Sequence, residues 1–287
     1  MVRPTPHPLT VFSLIPWSPR AEDVVDHPEN QHLVSLVPGA PSRNNEGGEP
    51  RGLNIGFHIG SRSRYTLATL GRNGDIFVEG SNIPRIQCSF EIHQDTDEIM
   101  LYDRSTSRST QTIGEKAMPF VEERRERYIV VGQEEDVNNE FGFGSQRDPV
   151  RFRVHWHDQE FNYKEEISYR EDHPRFTRTV DDETPTALPS MRATRIHTPV
   201  VQTAGVQGRV KKIRYYKKKQ IGKGSFGEVW KAVDVDTGKF FALKLVKWPD
   251  LQSREYTALK REVEYSAGLS HVSYYPEARA LFQISIN

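Results

Sequence analysis

The sequence predicts two folded parts of different kinds: an all-β sandwich and, across a long linker, a small antiparallel β-sheet with one helix. Three observations predict this. Short apolar runs between turn clusters fill residues 32–156, with scarcely a helical stretch. Residues 158–210 lose that periodicity and mix Glu, Asp and Arg around Thr184-Pro185 and Thr198-Pro199. Beyond them, strand-like runs at Val229–Val233 and Phe240–Val246 flank the turn Asp236-Thr237-Gly238, and a helical pattern follows.

Length and composition bound the answer. At about 100–200 residues per domain, 287 residues suit two folded units. Lys+Arg and Asp+Glu balance at 39 each, which argues against a chain held to nucleic acid by bulk charge. No apolar run approaches the ~18–20 residues of a membrane span, and the N-terminus lacks the pattern of a secretory signal. We therefore expect an intracellular protein, in nucleus or cytoplasm, with no membrane partner. The lone Cys88 excludes an internal disulfide framework and a CxxC metal cluster.

Nine of the 18 prolines fall within the first 50 residues. Because proline fixes φ and removes a donor, residues 1–29 read as a disordered tail. The alternative is a short docking motif carried by Phe12, Ile15 and Trp17.

Residues 30–158 form the sandwich. Leu33–Val37 stops at Pro38-Gly39, and a polar loop follows. Thr66–Leu70 and Ile76–Val78 flank Asn73-Gly74. Cys88, Phe90 and Ile92 alternate with polar residues, Ile99–Tyr102 and Tyr128–Val131 are further runs, and Val150 to Trp156 has a period of two.

Residues 159–210 read as a flexible linker whose Thr-Pro pairs are either phosphorylation sites or plain solvated chain. Ten Lys+Arg and no acid lie between Thr184 and Gly227. That run suits nuclear import, or, more plainly, a solvated face leading into a strand.

The sharpest motif is Ile221-Gly222-Lys223-Gly224-Ser225-Phe226-Gly227-Glu228-Val229. A dinucleotide-binding GxGxxG opens a helix. Here the next residues are strand-like and reach a hairpin turn, so the loop joins two antiparallel strands and can lie over phosphates. Lys244, central in the third strand, would pair with them and needs a counter-charge there. Leu251–Gly268 reads as a helix with Tyr256, Leu259, Val263 and Ala267 on one face. Glu262, near that face, is preferred over Glu264, about 200° further round.

From about Ile213 to His271 these residues resemble the N-terminal lobe of the eukaryotic serine/threonine protein kinases, giving a unit over 211–287 of α+β type. The resemblance implies ATP held by Ile221, Gly222, Lys223, Gly224, Ser225, Phe226, Gly227, Val229, Ala242 and Lys244, with Glu262 as the ion-pair partner of Lys244. Mg²⁺ is expected for the family, but neither HRDxxxxN nor DFG occurs in the sequence, so its ligands and the catalytic base are absent. Glu140-Phe141-Gly142 precedes the glycine loop and is assigned to the β domain. After His271 the usual continuation gives way to Val272-Ser273, which reads in frame as a splice donor; the expectation is translated intron sequence. A lobe on its own would also expose an apolar face, so poor solubility or local disorder is expected after residue 210.

Gly71-Arg72, Pro84-Arg85-Ile86-Gln87 and the stretch Asp103 to Thr110 are similar to a forkhead-associated (FHA) domain, a β-sandwich that binds phosphothreonine peptides. Against the family pattern of GR, SxxH and NG, Pro84 stands at the Ser position, Gln87 at the His position and Ser107-Arg108 at Asn-Gly. The resemblance implies phosphopeptide contacts from Arg72, Arg85, Ser107 and Arg108, the last a replacement fork for phosphate. For both Arg72 and Arg85, solvated loop arginines are the plainer alternative. An FHA-like domain ahead of a kinase resembles an arrangement abundant in filamentous fungi. Two functions follow: an ATP-binding serine/threonine kinase with a phosphopeptide-targeting domain and protein substrates, or a non-catalytic interaction protein with an inert half-kinase.

Overall fold

In a computed structural model of the chain, the described residues are 3–43, 48–133, 136–171, 214–224, 227–246 and 281–285, with Thr257 and Arg261. The prolines of the N-terminus bracket structure instead of preventing it. β1 (Thr10–Pro16) is buried at six of its seven positions and runs down the middle of a six-stranded sheet. Pro16 closes β1, and Pro19 opens the helix α1 (Pro19–Asp26), where a fixed φ and a missing N–H cost nothing. Ser18 caps that helix, its hydroxyl accepting from Ala21 N at 3.2 Å and from Arg151 N at 3.0 Å. Pro28 begins a 3-10 turn to Leu33. The expectation of a disordered tail over 1–29 is thus corrected. Proline density marked element boundaries, and the Val-Phe-Ser-Leu-Ile run between them is a core strand.

The sandwich continues through β2 (Val34–Leu36), β3 (Arg51–Gly56), β4 (Thr66–Gly71), β5 (Ile76–Phe77), β6 (Cys88–Ile92), β7 (Ile99–Asp103), β8 (Gln111–Ile113), β9 (Arg127–Val130), β10 (Glu140–Gly144) and β11 (Pro149–Trp156). One sheet has the order β2-β3-β1-β11-β10-β8, the other β5-β4-β6-β7-β9. Phe90 of the second sheet reaches across the core to Phe12 (centroids 5.0 Å apart) and Phe141 (5.3 Å) of the first. All three are fully buried, and each such ring contributes about 2–3 kcal/mol of transfer free energy. Glu140-Phe141-Gly142 lies within β10, inside this sandwich.

The expected linker does not begin at 159 as free chain. α2 (Tyr163–Ser168) buries Ile167, and Phe161 and Tyr163 pack their rings on Phe57 at 5.5 Å each. Arg170 then donates to the carbonyls of Ile59 (2.7 Å), Arg64 (2.9 Å) and Thr66 (2.8 Å). Phe161, Tyr163, Ile167 and Arg170 thus pin this stretch to the sandwich. Residues 172–213, with both Thr-Pro pairs, lie outside the described residues.

A third sheet has the order β12-β13-β14-β15, comprising β12 (Tyr215–Gly224), β13 (Gly227–Asp234), β14 (Phe240–Val246) and β15 (Leu281–Ser285). It docks on the sandwich. Tyr216, Val233 and Val235 join the sandwich's own buried cluster. Gly238, in the turn between β13 and β14, has left-handed backbone at φ +72°, and a Cβ there would meet Met100 Sδ at 2.9 Å. Among the described residues no helix is long and apolar enough to cross a membrane.

Candidate functional site

The glycine string is the tip of an antiparallel hairpin. Gly222 pairs with Val229, Lys223 with Glu228 and Gly224 with Gly227, and β13 continues as a strand. The sequence distinguished this from a helix-opening loop by the turn chemistry of Asp236-Thr237-Gly238, and the structure has that turn, closed by Gly238 N to Asp234 O at 2.8 Å. Ser225 and Phe226 lie outside the described residues. Among the described residues a Cβ on Gly222 would meet nothing nearer than Val229 Cβ at 3.8 Å, an ordinary contact. The described residues therefore do not require glycine there, whereas a ligand approaching the backbone would.

Val229 faces Lys244 across the β13–β14 ladder, and Ala242, two residues before, shares that face. The opposite face carries Trp230, Ala232, Phe241 and Leu243, a second small apolar cluster. Lys244 is half-buried. Ile221 is 51% exposed, and Lys223 stands 3.9 Å from Glu228 as a surface pair of little energetic weight. Glu262 and its expected helix face lie outside the described residues. Among the described residues no group of three or more His, Cys, Asp or Glu is placed to hold a metal.

At one end of the sandwich three loops converge. Arg72 N donates to Pro84 O (3.1 Å), Asn73 N to Arg85 O (2.9 Å) and Arg72 Nε to Ile83 O (2.6 Å). This crossing is so close that a Cβ on Gly71, at φ +153°, would lie 2.3 Å from Arg85 O. Asp75 braces the turn, accepting from Ser61 Oγ (2.6 Å), Thr69 N (2.8 Å) and Thr69 Oγ1 (2.8 Å). Buried Gln87 joins the third loop, donating to Ser109 Oγ (3.0 Å) and Thr110 Oγ1 (2.8 Å). Arg72, Arg85, Ser107 and Arg108 are exposed there, on neighbouring loops. Arg108 has φ 52°, a left-handed backbone that a non-glycine residue adopts uncommonly.

Beneath the third loop lies an ion pair that the sequence did not signal. Asp103 accepts Arg127 at 2.5 Å, with side chains 0% and 5% exposed, and also Ser105 N, Ser105 Oγ and Thr110 Oγ1. Cys88, buried in β6, has its thiol pushed up by burial and by the charge of Asp103. It is a packing residue, not a nucleophile.

The junction with the third sheet was also illegible. Glu98, 5% exposed, accepts from the Tyr216 hydroxyl and the Lys218 ammonium. Arg214 pairs with Asp236, and Arg124 donates to the Asp236 carbonyl. The Val130 amide donates to Val235 O at 2.9 Å, covering the outer edge of β9.

No protein-family model matches the chain, and no curated protein matches it. Among solved structures it is similar to the crystal structure of Rad53 1-466 in complex with AMP-PNP, at 17% identity and a TM-score of 0.38. The match covers 88% of this chain and 54% of that one, so the chain spans about half its length.

Proposed function

We propose that the chain is an ATP-binding kinase N-lobe carried on an FHA-like phosphopeptide-targeting domain. The observation that carries the first half is the register of the glycine hairpin with Lys244: Val229, beside the glycines, lies directly across from it. Gly222, Gly224 and Gly227 would cover the phosphates, Val229 and Ala242 the base, and Lys244, paired with Glu262, would hold the α/β-phosphates. At Gly222 a Cβ would make only an ordinary contact with Val229 Cβ at 3.8 Å, which is compatible with a close backbone approach to a ligand. With neither HRDxxxxN nor DFG in the sequence, the chain binds nucleotide without a base to activate a hydroxyl. A phosphotransfer assay on the purified chain, with Lys244→Met as control, tests this. We expect no transfer from either; labelled phosphate moved by the wild type and lost in the variant contradicts the absence of a base, while supporting Lys244 as a phosphate ligand.

A second reading, of the sandwich, is favoured by the convergence of Arg72, Arg85, Ser107 and Arg108 at one loop end. Arg72 and Arg85 supply cationic forks for a phosphate, and Ser107 a hydroxyl donor. Phosphothreonine peptides should bind and threonine peptides should not, with Arg72→Ala abolishing the difference. Equal binding of both peptides would leave an FHA-like interaction module without phosphate recognition.

A further inference from the structure

The segment Val121–Arg127 is held from two sides. On one, the Arg108 guanidinium donates to the Glu122 carbonyl (2.8 Å) and the Arg124 carbonyl (3.5 Å), and stands 3.8 Å from the Glu122 carboxylate. On the other, Arg124 donates to the Asp236 carbonyl in the turn of the docked sheet. Arg127 fixes the segment's end, bonded to Asp103 and to the Arg108 carbonyl. One short segment thus touches both the candidate phosphopeptide loop and the kinase-like sheet, and Arg108 is the group by which the loop holds it.

We propose that phosphopeptide binding and docking of the kinase-like sheet oppose one another, with Arg108 as the shared group. This rests on the phosphopeptide reading above. Docked, Arg108 spends its donors on two neutral carbonyls and stands 3.8 Å from a carboxylate that is 65% exposed and already bonded to Arg127 at 3.1 Å. A phosphate dianion offers charged oxygens to the same fork, and charge-assisted bonds are about twice as strong as neutral ones. Turning Arg108 to the phosphate strips the Glu122 and Arg124 carbonyls of their donor, and the backbone that aims Arg124 at Asp236 loses an anchor. The peptide therefore binds the released arrangement better than the docked one, the differential affinity that a population shift needs. Coupling is reciprocal, so loosening the dock at Glu98, on the far side of the junction, tightens peptide binding.

The test uses the full chain and a degenerate peptide mixture fixed only at a central phosphothreonine, against the same mixture with threonine. Hydrogen exchange is read at the Val130 amide, which bonds Val235 O across the junction. Phosphopeptide should raise that exchange about fivefold or more, and the threonine mixture should not. Arg108→Ala should exchange fast without peptide and gain nothing from it. Glu98→Ala should bind the phosphopeptide mixture about fivefold or more tightly. Binding with unchanged Val130 exchange overturns the coupling and leaves the phosphopeptide reading standing. Unchanged or weaker affinity in Glu98→Ala overturns the coupling too. Absence of any phosphothreonine-dependent binding overturns both.

Discussion

Tyr216 of the glycine-hairpin sheet donates its hydroxyl to the carboxylate of Glu98 in the sandwich, both residues being almost wholly buried. The same carboxylate takes the Lys218 ammonium, so a single acid binds two groups of β12. Glu98→Ala leaves a buried hydroxyl and an ammonium without that acceptor and should destabilise the docked sheet by about 2–3 kcal/mol. Tyr216→Phe should cost less, about 1 kcal/mol, because it removes the donor with the acceptor still satisfied by lysine. Denaturant titrations of the two variants check the order, and equal costs would contradict it.

The Asp103–Arg127 pair should respond asymmetrically. Removing one partner strands a buried charge, at about 3–5 kcal/mol for Arg127→Met. Asp103→Asn should also disorder the loop from Ser105 to Thr110, whose hydroxyls and amide converge on that carboxylate. Loss of amide protection at Ser105 and Ser109, read by hydrogen exchange, checks it.

β1 makes the N-terminal correction measurable. Leu14 is fully buried, so Leu14→Ala should cost about 2–5 kcal/mol in thermal or denaturant unfolding. A disordered tail would register no change.

His58 gives the sandwich an acid limit. Its ring stacks on His7 at 4.4 Å, and burial, with the nearby charges of His7, Arg3 and Arg170, lowers its pKa from 6.5 to about 4. The unfolded chain therefore binds a proton at higher pH than the folded one. This stability is fully present above pH 6.5 and falls by about 3 kcal/mol as pH drops to 4. His58→Gln should flatten that slope; an unchanged slope would assign acid sensitivity elsewhere.

What the sequence disclosed followed its local chemistry. Alternation at Cys88, Phe90 and Ile92 and at Val150 to Trp156 identified β6 and β11, and a turn triplet identified the β13–β14 hairpin. β3, β8 and β10 escaped notice, two of them because glycines dilute strand propensity in Arg51–Gly56 and Glu140–Gly144. β1 was hidden by prolines that in fact end elements. Gln87 read as a lost histidine, yet it links two loops. The junction had no local signal at all, since Glu98 and Tyr216 are 118 residues apart.

The central claim is that the hairpin and Lys244 form a nucleotide site. Its most direct measurement is equilibrium binding of a fluorescent ATP analogue to the full chain and to Lys244→Met. The account predicts saturable binding, displaced by ATP and weakened about tenfold or more in the variant, the loss of one charge-assisted contact. No saturable binding to the wild type, or equal affinity in both chains, would contradict it.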